Sequence, residues 1–273
     1  MTSREWRADR RAVFDRDEYT CQHCGAVGGD GESTAVRTYP VGDVPLEGTV
    51  HESSLATVCD RCFTVLRESE SLSGLSADRN GLFRIVRDIT RAQGATISDV
   101  ASFASLATSL PTALADGEET DLDYVETRRD VLLAIDLVDV RLDRLAAVDA
   151  SEHDPAVASL LETVSETATD LQFDLRRAVE LGETVVTEVG RCRGCFEPIA
   201  SDRACSTCGL EPRPLAAWRR STDDGAAFGD ESADAVAFDR LFASINDALR
   251  GTSETTAELT DRTTEFAETL LEG

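Results

Sequence analysis

PAVASLLETVSETATDLQFDLRRAVELGETVVTEVGRCRGCFEPIASDRACSTCG, residues 155–209, holds the two patterns that decide the architecture. In its first part Val157, Leu161, Val164, Ala168, Leu171, Leu175, Ala178, Gly182, Val185 and Val189 recur in steps of three and four. That rhythm keeps one face of a long helix apolar. In its second part Cys192, Cys195, Cys205 and Cys208 are spaced C-x2-C-x9-C-x2-C, with Gly194 and Gly209 beside the turns. A C-x2-C turn sets two sulfurs on one edge of a tetrahedron, so two such turns complete a Zn²⁺ site of the zinc-ribbon kind. The segment therefore predicts a helix that delivers the chain directly into a metal module at 191–218.

Upstream, Val131, Ile135, Val138, Leu142 and Leu145 repeat the same rhythm. A polar turn from Asp149 to Asp154 and a proline at 155 separate the two helices, which predicts an antiparallel hairpin over 121–189. A core hairpin is favoured over an oligomerising coiled coil, although the apolar stripes also fit a homodimer or a protein partner. Within the wider helical region 78–190, residues 81–110 read as two modest helices broken at Gln93-Gly94, and Pro111 to Glu119 as a loop. Past a linker, amphipathic helices are expected near 233–250 and 252–271.

Residues 1–70 read as a second metal-organised unit of helix, short strands and helix. Cys21, Cys24, Cys59 and Cys62 form two further C-x2-C pairs. The fold class is thus mainly α with small zinc-bound α+β modules. Four thiolates also suit iron, but without a cluster-type cysteine run zinc is the expected metal.

The run RRAVFDRDEYTCQHCGA, then VRTYPV, then LATVCDRCF resembles the HNH endonuclease domain in its zinc-stapled form, over roughly residues 5–67. The resemblance implies a ββα module with a catalytic Mg²⁺- or Mn²⁺-type ion, a histidine base, and an Asn and a last His that fix the geometry. Those positions are Thr38, Ser54 and Phe63 in this chain. Threonine cannot take a proton at neutral pH and phenylalanine cannot ligate a metal, so no catalytic residue is assigned. His51 is the nearest substitute base; His23 and His153 sit in a knuckle and a turn.

The 273 residues carry 27 basic side chains, all arginine, against 52 acids, for a net charge of −25. A chain this acidic repels nucleic acid in dilute salt. The missing lysine and the acid excess fit a halophilic protein, for which molar salt shortens the Debye length to about 3 Å. Net charge is therefore set aside as a guide to function. The locally basic stretches lie beside the metal modules, with Arg7, Arg10 and Arg11 as candidate nucleic-acid contacts. No apolar run approaches a membrane span, and cysteines arranged as C-x2-C pairs suit a reducing cytoplasmic compartment. Three readings remain open. They are an HNH-like module that binds DNA or a protein partner with cutting lost, a working HNH endonuclease using a divalent metal, and a helical zinc-capped adaptor.

Overall fold

A computed structural model describes residues 3–28, 35–42, 50–67, 77–118, 120–200, 203–218 and 238–272, with the side chains of 3–9 and 272 left out. It is mainly helical, with one two-stranded antiparallel sheet. Four long helices make the body: α3 (Arg79–Ala115), α4 (Asp121–Ala146), α5 (Pro155–Glu188) and α6 (Phe238–Glu272). Each of α3 and α5 packs against both α4 and α6, so these two form the middle of the bundle. The stripe residues Val131, Ile135 and Val138 of α4, and Ala168, Leu171, Leu175, Ala178 and Val185 of α5, are all buried. Pro155 opens α5, and the Asp154 carboxylate accepts a hydrogen bond from the amide of Ala156 at 2.9 Å, which caps the helix.

Two boundaries differ from the sequence reading. One helix, α3, runs through both Gly94 and Pro111, where a break and a loop were expected. Glycine costs about 1 kcal/mol in a helix interior. Here the adjacent Gln93 is fully buried and donates to the carbonyl of Ala168 on α5 at 2.6 Å, so packing holds the turn. Pro111 falls in the last two turns, with only four helical residues after it. Likewise α6 is a single helix through Gly251 rather than a pair. Continuing past that glycine buries Leu259, Phe266 and Leu270, and each buried side chain contributes about 1.5–3 kcal/mol against its cost. Residues 233–237 of the expected first member lie outside the described residues.

Helix α1 (Ser3–Arg16), strands β1 (Val36–Pro40) and β2 (Leu55–Cys59), and helix α2 (Asp60–Arg67) form the N-terminal unit. The strands pair antiparallel from Val36↔Cys59 to Pro40↔Leu55. Every residue of β2 is buried, because the strand is covered by α1 and by α4. Asp17, at the end of α1, fastens this unit. Its carboxylate accepts from the amide of Thr57 at 2.9 Å and from Arg16 at 2.7 and 3.0 Å. Arg16 in turn donates to the carbonyls of Glu52 and Leu55. Burial opposes ionisation of Asp17, but these donors outweigh it and hold the carboxyl below its ordinary range.

Candidate metal centres and the cleft between them

The eight cysteines come together as two groups of four, Cys21/Cys24/Cys59/Cys62 and Cys192/Cys195/Cys205/Cys208, with the sulfurs of each group within 4.8 Å of one another. A tetrahedral Zn²⁺ at about 2.3 Å from each thiolate needs sulfurs about 3.8 Å apart. Cys24 and Cys59 are 3.7 Å apart, Cys195 and Cys205 3.5 Å, and Cys192 and Cys208 3.3 Å. Both groups therefore fit one divalent ion each. Hydrogen bonds from Cys195 and Cys208 pull Cys192 down, whereas burial and the neighbouring sulfurs push Cys62 up. Four sulfurs this close do not ionise independently, and a bound cation is what would let all four be thiolates.

The backbone explains why these turns recur. In three knuckles the first cysteine's amide bonds to the carbonyl five residues on, as Cys21 to Ala26, Cys192 to Glu197 and Cys205 to Leu210. The residue after the second cysteine then takes positive φ: Gly25 at 70°, Gly209 at 75°, and Phe196 at 63°. That conformation costs a side-chain-bearing residue about 1–2 kcal/mol. Phe196 is nonetheless only 3% exposed, with its ring 5.0 Å from that of Tyr124 on α4 and Arg191 over its face, so its burial offsets the strain. Gly194 is required for another reason. A Cβ there would lie 2.4 Å from Leu210 and 3.4 Å from the Cys208 sulfur. The fourth ligand pair is built differently, with Cys59 closing β2 and Cys62 in the first turn of α2.

The C-terminal module is locked to the bundle by Glu183, a carboxylate only 1% exposed. Arg128 of α4 pairs with its Oε1 at 2.7 Å. Its Oε2 receives Arg193 of the second knuckle at 3.1 Å and Arg213, just past the module, at 2.7 Å. Burial would raise the carboxyl's pKa, but the three guanidiniums drive it below its ordinary value. The Tyr124 hydroxyl adds a bond to the carbonyl of Arg193. None of this was read from the sequence. The available signal was a glutamate beside the apolar stripe of α5, with arginines inside and just after the cysteine set.

Both metal modules pack on α4, and a cleft of about 700 Å³ separates them. Its charged lining is Arg16 and Arg129 against Asp17, Glu18, Glu52, Asp121, Glu126 and Glu197, so acids outnumber bases. His51 lines it too, with Nδ1 accepting from the amide of Ser53 at 3.2 Å. His23 is exposed on its knuckle, and His153 is half-buried in the α4–α5 turn. Thr38 sits mid-strand opposite Thr57, and Ser54 is buried. Phe63 is half-buried on α2, with the Arg37 guanidinium 5.0 Å and the Arg67 guanidinium 5.8 Å from its ring centre. Arg37 also pairs with Asp60. Arg10 lies close enough to Arg37 to feel its charge, while the exposed Arg11 pairs with Asp15 at 3.7 Å. Arg7 is in α1, and its side chain lies outside the described residues.

No helix among the described residues is long and apolar enough to cross a membrane. Comparison with protein-family models, with curated proteins and with solved structures found no match.

Proposed function

We propose that this protein is a zinc-binding, HNH-endonuclease-like module that engages nucleic acid without cutting it. The scaffold part of the reading is supported by the order of parts: a knuckle, two antiparallel strands and a helix, with one cysteine pair on the knuckle and the other at the strand–helix junction. The observation that carries the loss of cutting is Phe63. At the position where the resemblance calls for a metal-binding histidine, the chain has an aromatic ring beneath Arg37 and Arg67. Rings flanked by guanidiniums cannot activate water, but they suit a phosphate backbone with bases to stack on. His51 does not restore the chemistry, because it faces a cleft whose carboxylates repel a phosphodiester.

The test uses the zinc-loaded chain. Supercoiled plasmid with Mg²⁺ or Mn²⁺ in molar KCl should remain unnicked, and His51→Ala should change nothing. Fluorescence anisotropy with a labelled duplex across a salt series should show binding whose log–log salt slope falls by roughly one for each of Arg37→Gln and Arg67→Gln. Nicking that His51→Ala abolishes would establish the working nuclease instead. Absence of binding that either arginine affects would turn the reading toward a protein partner, for which the acidic cleft between the modules favours a basic segment.

A further inference from the structure

The cleft between the two metal modules gathers carboxylates from both. Glu18 after α1, Glu52 in the turn before β2, Asp121 and Glu126 at the start of α4, and Glu197 of the Cys192 knuckle all line it. Its two cations are already committed. Arg16 is held by both oxygens of Asp17, and Arg129 faces Asp17 at 3.9 Å, Asp130 at 3.8 Å and the charge of Glu126. Glu18, Glu52, Asp121 and Glu197 have no ion-pair partner among the described residues. Asp121 has the N-terminal dipole of α4 as partial compensation, and the other three have only solvent. Acids are abundant over the whole chain, but on a convex surface each is solvated separately, whereas the walls of a cleft add their fields.

One metal ion does not answer these charges. Among the described residues only the cysteine groups bring three or more ligand atoms within 4.8 Å of one another, so the carboxylates are spread apart and call for several separate cations. The floor of the cleft calls for the opposite. Arg129 is only 4% exposed, and its Nε is buried with no hydrogen-bond partner among the described residues. Water answers Arg129 but brings no charge to the walls. Leu122, 78% exposed, and Val125 one turn further along α4 add an apolar strip to the same lining. Spaced cations, carbonyl acceptors and apolar side chains occur together in a polypeptide. We propose that the cleft receives an extended, arginine- or lysine-rich segment of a partner protein, with its cations against carboxylates of both modules, a backbone carbonyl on Arg129 and an apolar residue on Leu122. Direct ion contacts act within the Debye length of about 3 Å in molar salt, and apolar burial does not depend on charge, so such binding survives that salt. The site lies apart from the Phe63 face and does not rest on the nucleic-acid reading.

The experiment titrates the full metal-loaded chain in molar KCl into a labelled peptide of alternating arginine and leucine, followed by fluorescence anisotropy. Spermine serves as competitor, since it carries the cations without carbonyls or apolar side chains. Saturable binding is expected, with spermine displacing the peptide only weakly. Glu52→Gln and Glu197→Gln, one on each module, should each weaken binding by about threefold to fivefold, the most that one exposed ion pair supplies, and together by about tenfold. Leu122→Ser should weaken it as well. Glu254→Gln, exposed on α6 and outside the cleft lining, should leave it unchanged. Glu52, Glu197 and Leu122 are themselves exposed, so these variants keep the fold. Absence of saturable binding, equal affinity of the wild type and the double variant, or displacement by spermine at the peptide's own affinity would overturn the proposal. Duplex binding through Arg37 and Arg67 is a separate measurement and is expected to be the same in all of these variants.

Discussion

Replacing Glu183 with Gln changes one proton's worth of charge at the point where three arginines converge. The variant keeps the side chain's size and one acceptor oxygen, but it leaves Arg128 and Arg193, which are 2% and 11% exposed, without their counter-charge. Removing one member of a buried pair costs about 3–5 kcal/mol, because the surviving charge stays desolvated. Arg213 is 23% exposed and retains Glu180 at 3.5 Å, so its share is screened. An expected loss near the lower end, about 3 kcal/mol, follows. Urea unfolding followed by circular dichroism at fixed KCl measures it, with an unchanged m-value as the check that one transition is being compared. A second variant separates charge from shape. Once Arg128 is also replaced, by Met, the stranded guanidinium is gone, so Glu183→Gln/Arg128→Met should be less destabilised than the sum of the two single changes. A loss below about 1 kcal/mol for Glu183→Gln, or strict additivity in the double variant, would show that the cluster does not work as a charge pair.

Two further outcomes follow from the same geometry. Burial, reinforced by Glu126, Asp17 and Asp99 against the opposing Arg129, pushes Asp130 up to about 6. A carboxyl raised above its unfolded value near 3.9 favours the folded state when protonated, so the stability it supplies is full at low pH and lost as pH rises through 6. Because 47% of the side chain is exposed, the discounted gain for Asp130→Asn at pH 8 is about 1 kcal/mol, shrinking toward pH 4; equal gains at both pH values in urea titrations would contradict this. For the metals, elemental analysis should return two equivalents of zinc per chain, and Cys59→Ser and Cys205→Ser should each lose one and keep the other. Loss of both ions from either variant would mean that the two centres are not independent.

What could be read from the chain, and what could not, divides by the range of the interaction. The cysteine groups were legible because a chelate is written in local spacing: each C-x2-C pair closes within four residues, and only the pairing of pairs is long-range. The stripes of α4 and α5 were legible because Val131, Ile135 and Leu171 repeat at helical period whatever they pack against. Helix ends were misread where a local cost is outweighed by a distant contact, as at Gly94, whose neighbour Gln93 reaches a carbonyl on α5 75 residues away. Gly182 gives the converse case. It occupies a stripe position like any small residue, yet a Cβ there would meet Phe103 at 2.6 Å, so it sets how closely α3 and α5 approach. The placement of both metal modules along α4, with a cleft between them, depends on Asp17, Tyr124 and Glu183, single residues that no period marks. Zinc modules capping the two ends of a rod would have no such cleft. Because Arg129 of α4 approaches Asp17 of the first module at 3.9 Å while Tyr124, five residues earlier, bonds the second, one helix fixes the distance between the two centres. Whatever enters the cleft meets both modules at once, so selectivity there is a property of α4 as much as of either cysteine group.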